Sequence, residues 1–429
     1  MEPLGAGVSY DVSIYPNGTE IMKKEMIFTG DFLKKLPKSD LHLHLDGSMR
    51  LSTLIEMAKA RNVTLPSYTE AGLRELVFKP SYASLGEYLA GFQYTCGVLD
   101  TKENLERAAY ELAVDCLEEG VCYIEVRFAP QLHIHSDLDI DGVLLAVNAG
   151  LARAQKEYNA LEVVQSNQKP EFYYGIIACA LRKFDEHAPG WYGAFYQQFF
   201  ASKHSNTRRI FASASLELVH AVVRCRDQYG IPIVGFDLAG QEDGFPARHH
   251  KKAYQYAHEN FLQKTVHAGE AYGPESIFEA ITTLYANRIG HGYHLFSPDK
   301  CDKNISNPEE YTQRLQSYIA NNRITIEVCI SSNLQTNPSI GPVHNHHFGE
   351  MLNAELSATI CTDNRLISNT SVTKELQLAV DAFGMSKKQI RNTLIYGFKR
   401  SFFFGEYRTK RRYVRKVIDC LDGLLDSEI

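Results

Sequence analysis

"SDLHLHLDGS", Ser39 to Ser48, alternates leucine with polar residues, places His42 and His44 two apart, and then stops on Asp46 and Gly47. Alternation with period two is the pattern of a β-strand. Residues two apart on a strand project from one face, roughly 6.6 Å apart at the backbone. The two imidazoles therefore share a side, and a buried strand that gives two positions to histidine needs partners for them elsewhere in the chain.

Seven further runs rich in β-branched and aromatic residues follow at intervals, each separated from the next by helical patterns. They are "CYIEVRFAP" from Cys122, "FYYGIIACALR" from Phe172, "IPIVGFDLAG" from Ile231, "KTVHAGE" from Lys264, "NRIGHGYHL" from Asn287, "RITIEVCISS" from Arg323 and "LSATICTDN" from Leu356. Strands apolar on both faces belong in a parallel sheet covered by helices. With the first run they make eight, and eight βα units in series predict an α/β fold, the (β/α)₈ TIM barrel. "KELQLAVDAF" from Lys374 has helical spacing and ends at Gly384, and Ser386 is the expected N-cap of a helix carrying Ile390, Leu394 and Phe398 on one face. Nothing in composition divides the chain, so residues 1–429 are expected to form one barrel domain with its core at about 37–405. An N-terminal arm at 1–36 and a basic helical tail at 406–429 flank it. A minimal barrel takes roughly 250 residues, so insertions are required. The largest lies after the first strand, between Gly47 and Val121. It is a helical insertion holding "SYASLGEYLAGFQYT", whose aromatic face serves the core or roofs a pocket.

Titratable residues collect at the C-terminal ends of these strands, where a barrel carries its active site. His42 and His44 close the first strand, Asp237 the fourth, His267 and Glu270 the fifth, His291 the sixth and Asp363 the eighth. His42 and His44 can converge on one metal ion, with His267 and Asp363 adding a nitrogen and an oxygen from other strands. His-x-His occurs twice more, at His133 to His135 and at His344 to His346, but each follows a proline beyond a strand and lacks the alternation. Neither is expected to bind metal. Glu270 at a dry strand end is expected to have a raised pKa and to carry a proton to substrate. His291 lies between two glycines, where the bare backbone admits a ligand; His294 is expected to be structural.

The chain has 429 residues, 44% hydrophobic and 22% charged, with 45 Lys plus Arg against 51 Asp plus Glu. The net charge of -6 gives no global attraction to nucleic acid or an anionic membrane, and the cluster "RTKRRYVRK" reads as a solvated helix face. No segment approaches eighteen uninterrupted apolar residues, and the N-terminus lacks a secretory pattern. Nine cysteines without CxxC or CxxH spacing fit buried thiols in a reducing compartment, so a cytoplasmic location is expected.

"DLHLHLDG", "FDLAG", "TVHAGE", "RIGHGYHL" and "TDN", in this order, resemble the motifs of the adenosine deaminase family of zinc-dependent aminohydrolases. The resemblance implies that His42, His44, His267 and Asp363 hold one Zn²⁺ per subunit. It also implies that His291 orients and helps deprotonate water, and that Glu270 protonates the purine ring nitrogen next to C6. Gly240 would donate to purine N3, and Asp46, beside His44, would accept from the ribose 5′-hydroxyl. Asp237 would act from behind, either structurally or by fixing the tautomer of a ligating histidine. The implied reaction is hydrolytic deamination of adenosine and 2′-deoxyadenosine to inosine and ammonia, in purine salvage.

One position departs from the family pattern. Where many members carry a second acid after Asp363, this chain has Asn364, whose amide is expected to donate to purine N7 without needing a raised pKa. The competing readings are a deaminase of adenine, a nucleotide or a 5′-modified adenosine, and a catalytically silent metal-binding barrel. A cytidine-type zinc deaminase is excluded by the missing H-x-E and P-C-x-x-C signature.

Overall fold

The structure is a computed structural model that describes residues 10–14, 20–24, 28–201 and 206–427. Much of the arm expected at 1–36, and the last two residues of the tail, lie outside the described residues. Ahead of the barrel, β1 (Tyr10–Ile14) and β2 (Glu20–Lys24) pair antiparallel. The barrel strands are β3 (Lys38–His44), β4 (Val121–Phe128), β5 (Tyr173–Leu181), β6 (Ile233–Ala239), β7 (Gln263–Lys264), β8 (His267–Ala268), β9 (Arg288–His291), β10 (Thr325–Val328) and β11 (Ala358–Ile360). The eight expected runs all form parallel strands, in the order β3-β4-β5-β6-β7 and β8-β9-β10-β11.

The fifth run is split. Its first half pairs with β6 and its second with β9, while the bonds Thr265 N–H to Phe236 O (3.0 Å) and Gly290 N–H to Val266 O (2.8 Å) carry the sheet across the break. The barrel closes between its last and first strands, where His44 N–H donates to Asp363 O and Asp363 N–H donates to His42 O, each at 2.8 Å. The residues that close the barrel are therefore the ones whose side chains were expected to share a metal. The fold is the (β/α)₈ barrel.

The insertion after β3 is helical: Leu51–Arg61, Glu70–Leu76, Leu85–Ala90, Phe92–Val98 and Lys102–Glu118. Thr69, Ser84 and Thr101 each accept a backbone N–H in the first turn of the helix that follows, which is why the chain restarts a helix at these points. At the other end, Gly384 takes the left-handed conformation that stops Val372–Phe383, and Ser386 with Gln389 forms a capping box that starts Lys387–Arg400. Ile390, Leu394 and Phe398 are buried on that helix, as the spacing predicts. In Tyr407–Ser427, Tyr413, Val414, Val417, Leu421 and Leu425 form the buried stripe, while Arg408, Arg411, Arg412 and Arg415 are exposed, so the basic cluster is a solvated face.

The inward positions of the barrel are not all apolar. Glu125, Arg127, Asp237, Arg288 and Glu327 are fully or almost fully buried. Arg127 donates to Asp237 and to Glu327, each at 2.8 Å, and Arg288 donates to Glu327 at 2.6 Å and also to Glu125. Each charge has an opposite partner, without which burial would cost several kcal/mol. This ionic layer lies directly behind the histidines.

Candidate metal centre and catalytic pocket

His42, His44, His267 and Asp363 each place one ligand atom within 4.8 Å of the others, and all four are buried. His42 Nε2 and His44 Nε2 lie 3.4 and 3.3 Å from Asp363 Oδ1, and His44 Nε2 lies 3.2 Å from His267 Nε2. Behind them, His42 Nδ1 meets Glu327 Oε2 at 2.9 Å and His267 Nδ1 meets Asp237 Oδ2 at 3.0 Å. A carboxylate on Nδ1 fixes the proton there and turns the Nε2 lone pair to the centre, the arrangement found behind metal-bound histidines.

His42 Nε2 is buried with no hydrogen-bond partner, as expected of a lone pair that awaits a cation. Burial lowers the pKa of His44 and His267, keeping these rings neutral as ligands must be, and lowers that of the neighbouring His291 as well. His42 differs: burial and Arg127 lower its pKa, but the Asp363 and Glu327 carboxylates beside it outweigh them and raise it. The donor set and its support fit a metal ion. Asp237 has contacts of both kinds open to it, with His267 Nδ1 on one side and Arg127 on the other, and it stands ionised because these two overcome the cost of burial.

Backbone conformation serves the same centre. Asp363 and His291 both have left-handed backbones, φ 59° and 61°, which strains residues other than glycine. The ladder bonds that close the barrel, and Ser332 Oγ donating to Asp363 Oδ2 at 2.7 Å, hold the first of them. Gly290 is bare for a specific reason: a Cβ there would meet His42 Cε1 at 2.9 Å. The group that approaches this glycine is thus a candidate ligand's ring. Gly47 is bare because a Cβ would strike the Asn364 side chain at 1.8 Å.

Glu270 stands opposite, its side chain 8% exposed, with Oε2 3.7 Å from His291 Nε2. Burial, reinforced by Asp363 and Glu242, pushes its carboxyl up to about 8. The Glu242 carboxylate accepts from the backbone N–H groups of Gly269, Glu270, Ala271 and Tyr272, at 2.8–3.1 Å, and so fixes the turn that carries Glu270.

His291 is set by a chain of bonds. Phe348 N–H donates to His346 Nδ1 (3.0 Å), which leaves the proton of the neutral ring on Nε2, facing Asn333 Oδ1 (3.2 Å). The Asn333 amide nitrogen then donates to His291 Nδ1 (3.1 Å). The neutral His291 ring consequently carries its proton on Nε2, towards Glu270. His346 belongs to one of the extra His-x-His pairs and His347 Nδ1 is bonded to Tyr293 O; at the other pair, His133 Nδ1 and His135 Nε2 bind the carbonyls of Leu99 and Asp100. His133 and His135 thus bind separate carbonyls, and His346 is taken up by Phe348 and Asn333. His294 bonds Ser297, a structural contact.

A small cavity of about 50 Å³ lies over the centre, lined by His44, His267, Glu270, His291, Asp363 and Asn364, with Leu85, Tyr88, Leu89 and Phe92 above. The insertion thus roofs the pocket. Asn364 Nδ2 donates to Tyr88 Oη (2.9 Å), and its Oδ1 is buried without a partner. A larger cavity of about 460 Å³ continues outward past His44, Asp46 and Gly240 to Lys183 and Gln241. Asp46 is buried, which pushes its carboxyl up to about 7, and its Oδ1 also lacks a partner.

Glu327, Arg127, Glu242, Asn333 and Tyr88 were not singled out in the sequence, and His346 was named there only as a residue not expected to bind metal. "ITIEVCI" and "YIEVRF" did carry a signal, since charges inside runs apolar on both faces must be paired within the fold.

The chain matches the family described as adenosine deaminase over residues 37–183 and 205–420. An adenosine deaminase of Mycolicibacterium vanbaalenii is 33% identical over 376 residues, covering 87% of this chain and 92% of that protein. A probable adenosine deaminase of Dictyostelium discoideum is likewise 33% identical over 87% of this chain, which spans 41% of that longer protein. Among solved structures, an Arabidopsis N6-mAMP deaminase superposes with a TM-score of 0.67 at 25% identity, covering 91% of this chain and 99% of that one. On this combined agreement of sequence, fold and donor geometry, the chain belongs to the adenosine deaminase family and is a hydrolase.

Proposed function

We propose that the protein deaminates adenosine and 2′-deoxyadenosine to inosine and ammonia with a bound Zn²⁺, in purine salvage and in the cytoplasm. The observation that carries this reading is Glu270, a carboxyl pushed up to about 8 by burial within a roofed cavity beside four convergent metal donors. Such a group is protonated at neutral pH and can give its proton to a ring nitrogen, which an ordinary ionised glutamate cannot.

Three imidazole nitrogens and one carboxylate, from His42, His44, His267 and Asp363, suit zinc and leave a position for water. When bound, zinc supplies Lewis acidity that brings the pKa of water to about 7. Glu270 protonates the purine N1, which makes C6 electrophilic. His291, with its proton on Nε2, orients the attacking water by donating to it, a reading supported by the bond it receives from Asn333. Water adds at C6, and Glu270 takes up the proton that the water loses and passes it to the amino group; ammonia then leaves as the C6 hydroxyl gives up its proton to become the carbonyl, which returns Glu270 to its acid form.

Around the reacting carbon, the Gly240 N–H donates to N3, the Asn364 amide to N7, and Asp46 accepts from the 5′-hydroxyl. Nothing in this set reads the 2′ position, so deoxyadenosine is accommodated. The cytoplasmic reading is supported by nine cysteines, all unpaired. A second reading, a 5′-nucleotide substrate, has one observation in its favour: Lys183 lines the outer cavity that holds Asp46. The test is kcat/KM for adenosine, AMP and adenine followed by ammonia release. Adenosine is expected to lead, because the buried Asp46 carboxyl offers a phosphate no positive partner and repels it where ionised, and adenine leaves it unused. Preference for AMP would replace the reading with the second one.

A further inference from the structure

Two residues beyond His44, a second group of potential ligands is gathered. One ligand atom each from Asp46, Cys96 and His133 lies within 4.8 Å of the other two. His133 is 2% exposed and donates from Nδ1 to Leu99 O at 3.0 Å, so its neutral ring presents a lone pair on Nε2, which has no partner. Asp46, 3% exposed, likewise leaves Oδ1 unpartnered. The contact that Cys96 Sγ makes with Asp46 Oδ2 is long, 3.9 Å.

An imidazole nitrogen, a carboxylate oxygen and a sulfur thus converge with one weak thiol proton among them. The two buried acceptors without donors, His133 Nε2 and Asp46 Oδ1, are costly, and a cation resolves both while taking the half-buried sulfur as a third ligand. Thiolate, imidazole and carboxylate together favour zinc and ions like it over magnesium or calcium. Tetrahedral zinc, with bonds of roughly 2.0–2.3 Å, sets its ligands roughly 3.5 Å apart, a modest contraction of the present arrangement.

We infer that Asp46, Cys96 and His133 form a second binding site for a thiophilic divalent cation of the zinc class, separate from the catalytic centre and set against its outer cavity. Binding forms metal bonds to sulfur, nitrogen and oxygen, and the Cys96 thiol releases its proton to solvent. Asp46 lines the outer cavity, so a cation held there occupies the carboxylate assigned to the sugar. Excess zinc therefore competes with the nucleoside. That second consequence rests on the proposed function, whereas the site itself does not.

The test uses the metal-free full chain titrated with Co²⁺. The catalytic donors contain no sulfur, so the near-ultraviolet thiolate-to-cobalt absorption reports this site alone. The band is expected to develop, and to be lost in Cys96→Ser and weakened in His133→Leu, while the catalytic cobalt remains bound in both. No thiolate band at saturating cobalt, or a band undiminished in Cys96→Ser, overturns the inference and leaves the two orphaned acceptors to a water or a substrate hydroxyl. If the chain turns over adenosine, excess zinc should raise KM several-fold with little loss of kcat, and Cys96→Ser should be relieved of that rise. Unchanged KM despite a thiolate band would overturn the competition and retain the site.

Discussion

The floor of the pocket and its roof are built on opposite lines. Below the metal donors, His42 and His267 are backed by carboxylates, and each carboxylate is held by a buried arginine, so Glu327 alone accepts from His42, Arg127, Arg288 and Thr265. Above them, short helices of the insertion bring Tyr88 to Asn364, and both Asn364 and Asp46 keep an oxygen without a partner. The floor is finished before any ligand arrives; at the sugar end Asp46 keeps an open acceptor for one. Preorganised donors cost no reorganisation during reaction, and an adaptable roof lets substrate enter.

If that contrast is right, damage to the floor costs metal and damage to the roof costs substrate affinity. The largest effect is expected from His267→Ala, which removes a ligand: metal content measured by elemental analysis and turnover both fall to background. Glu270→Gln should keep the metal and lose about 10²–10⁴ in kcat, because only the transferable proton is gone. The acid form of Glu270 is the active one, so wild-type activity should decline as pH rises through about 8, and the pH–rate profile of Glu270→Gln should lack that limb.

Glu327→Gln touches no ligand atom of substrate, yet should weaken zinc about 10- to 100-fold in a competitive chelator titration. It should also lower Tm, since Arg127 and Arg288 lose their shared charge. Asn333→Ala breaks the chain that sets the His291 tautomer; an unmet buried bond costs about 1–3 kcal/mol, so kcat should fall roughly tenfold or more with KM nearly unchanged. The smallest effect belongs to the roof. Asn364→Ala should raise KM for adenosine roughly tenfold without loss of metal, and should leave 7-deazaadenosine, which lacks N7, unaffected. Equal losses for both nucleosides would assign Asn364 to holding Tyr88 alone.

The strands were legible because period and composition are local, and the donors because a histidine on an apolar strand is out of place there. "DLHLHLD" displays both features in seven residues. The division of the fifth strand was not legible, since hydrophobic pattern does not say which neighbour a backbone N–H chooses. Asn333 and His346 were hidden for a related reason: one sits in a polar turn and the other in "HNHHF", and only the folded chain brings them to His291. Whether the aromatic insertion served core or roof was likewise a question of where a helix lands. Tyr88 answers it by being buried and facing the cavity together.

The most direct measurement is a zinc titration of the metal-free protein with adenosine present and ammonia release as the readout. Activity should appear with the first bound zinc and saturate at one equivalent per chain. A protein with the His42, His44, His267 and Asp363 centre loaded that released no ammonia from adenosine would contradict the account.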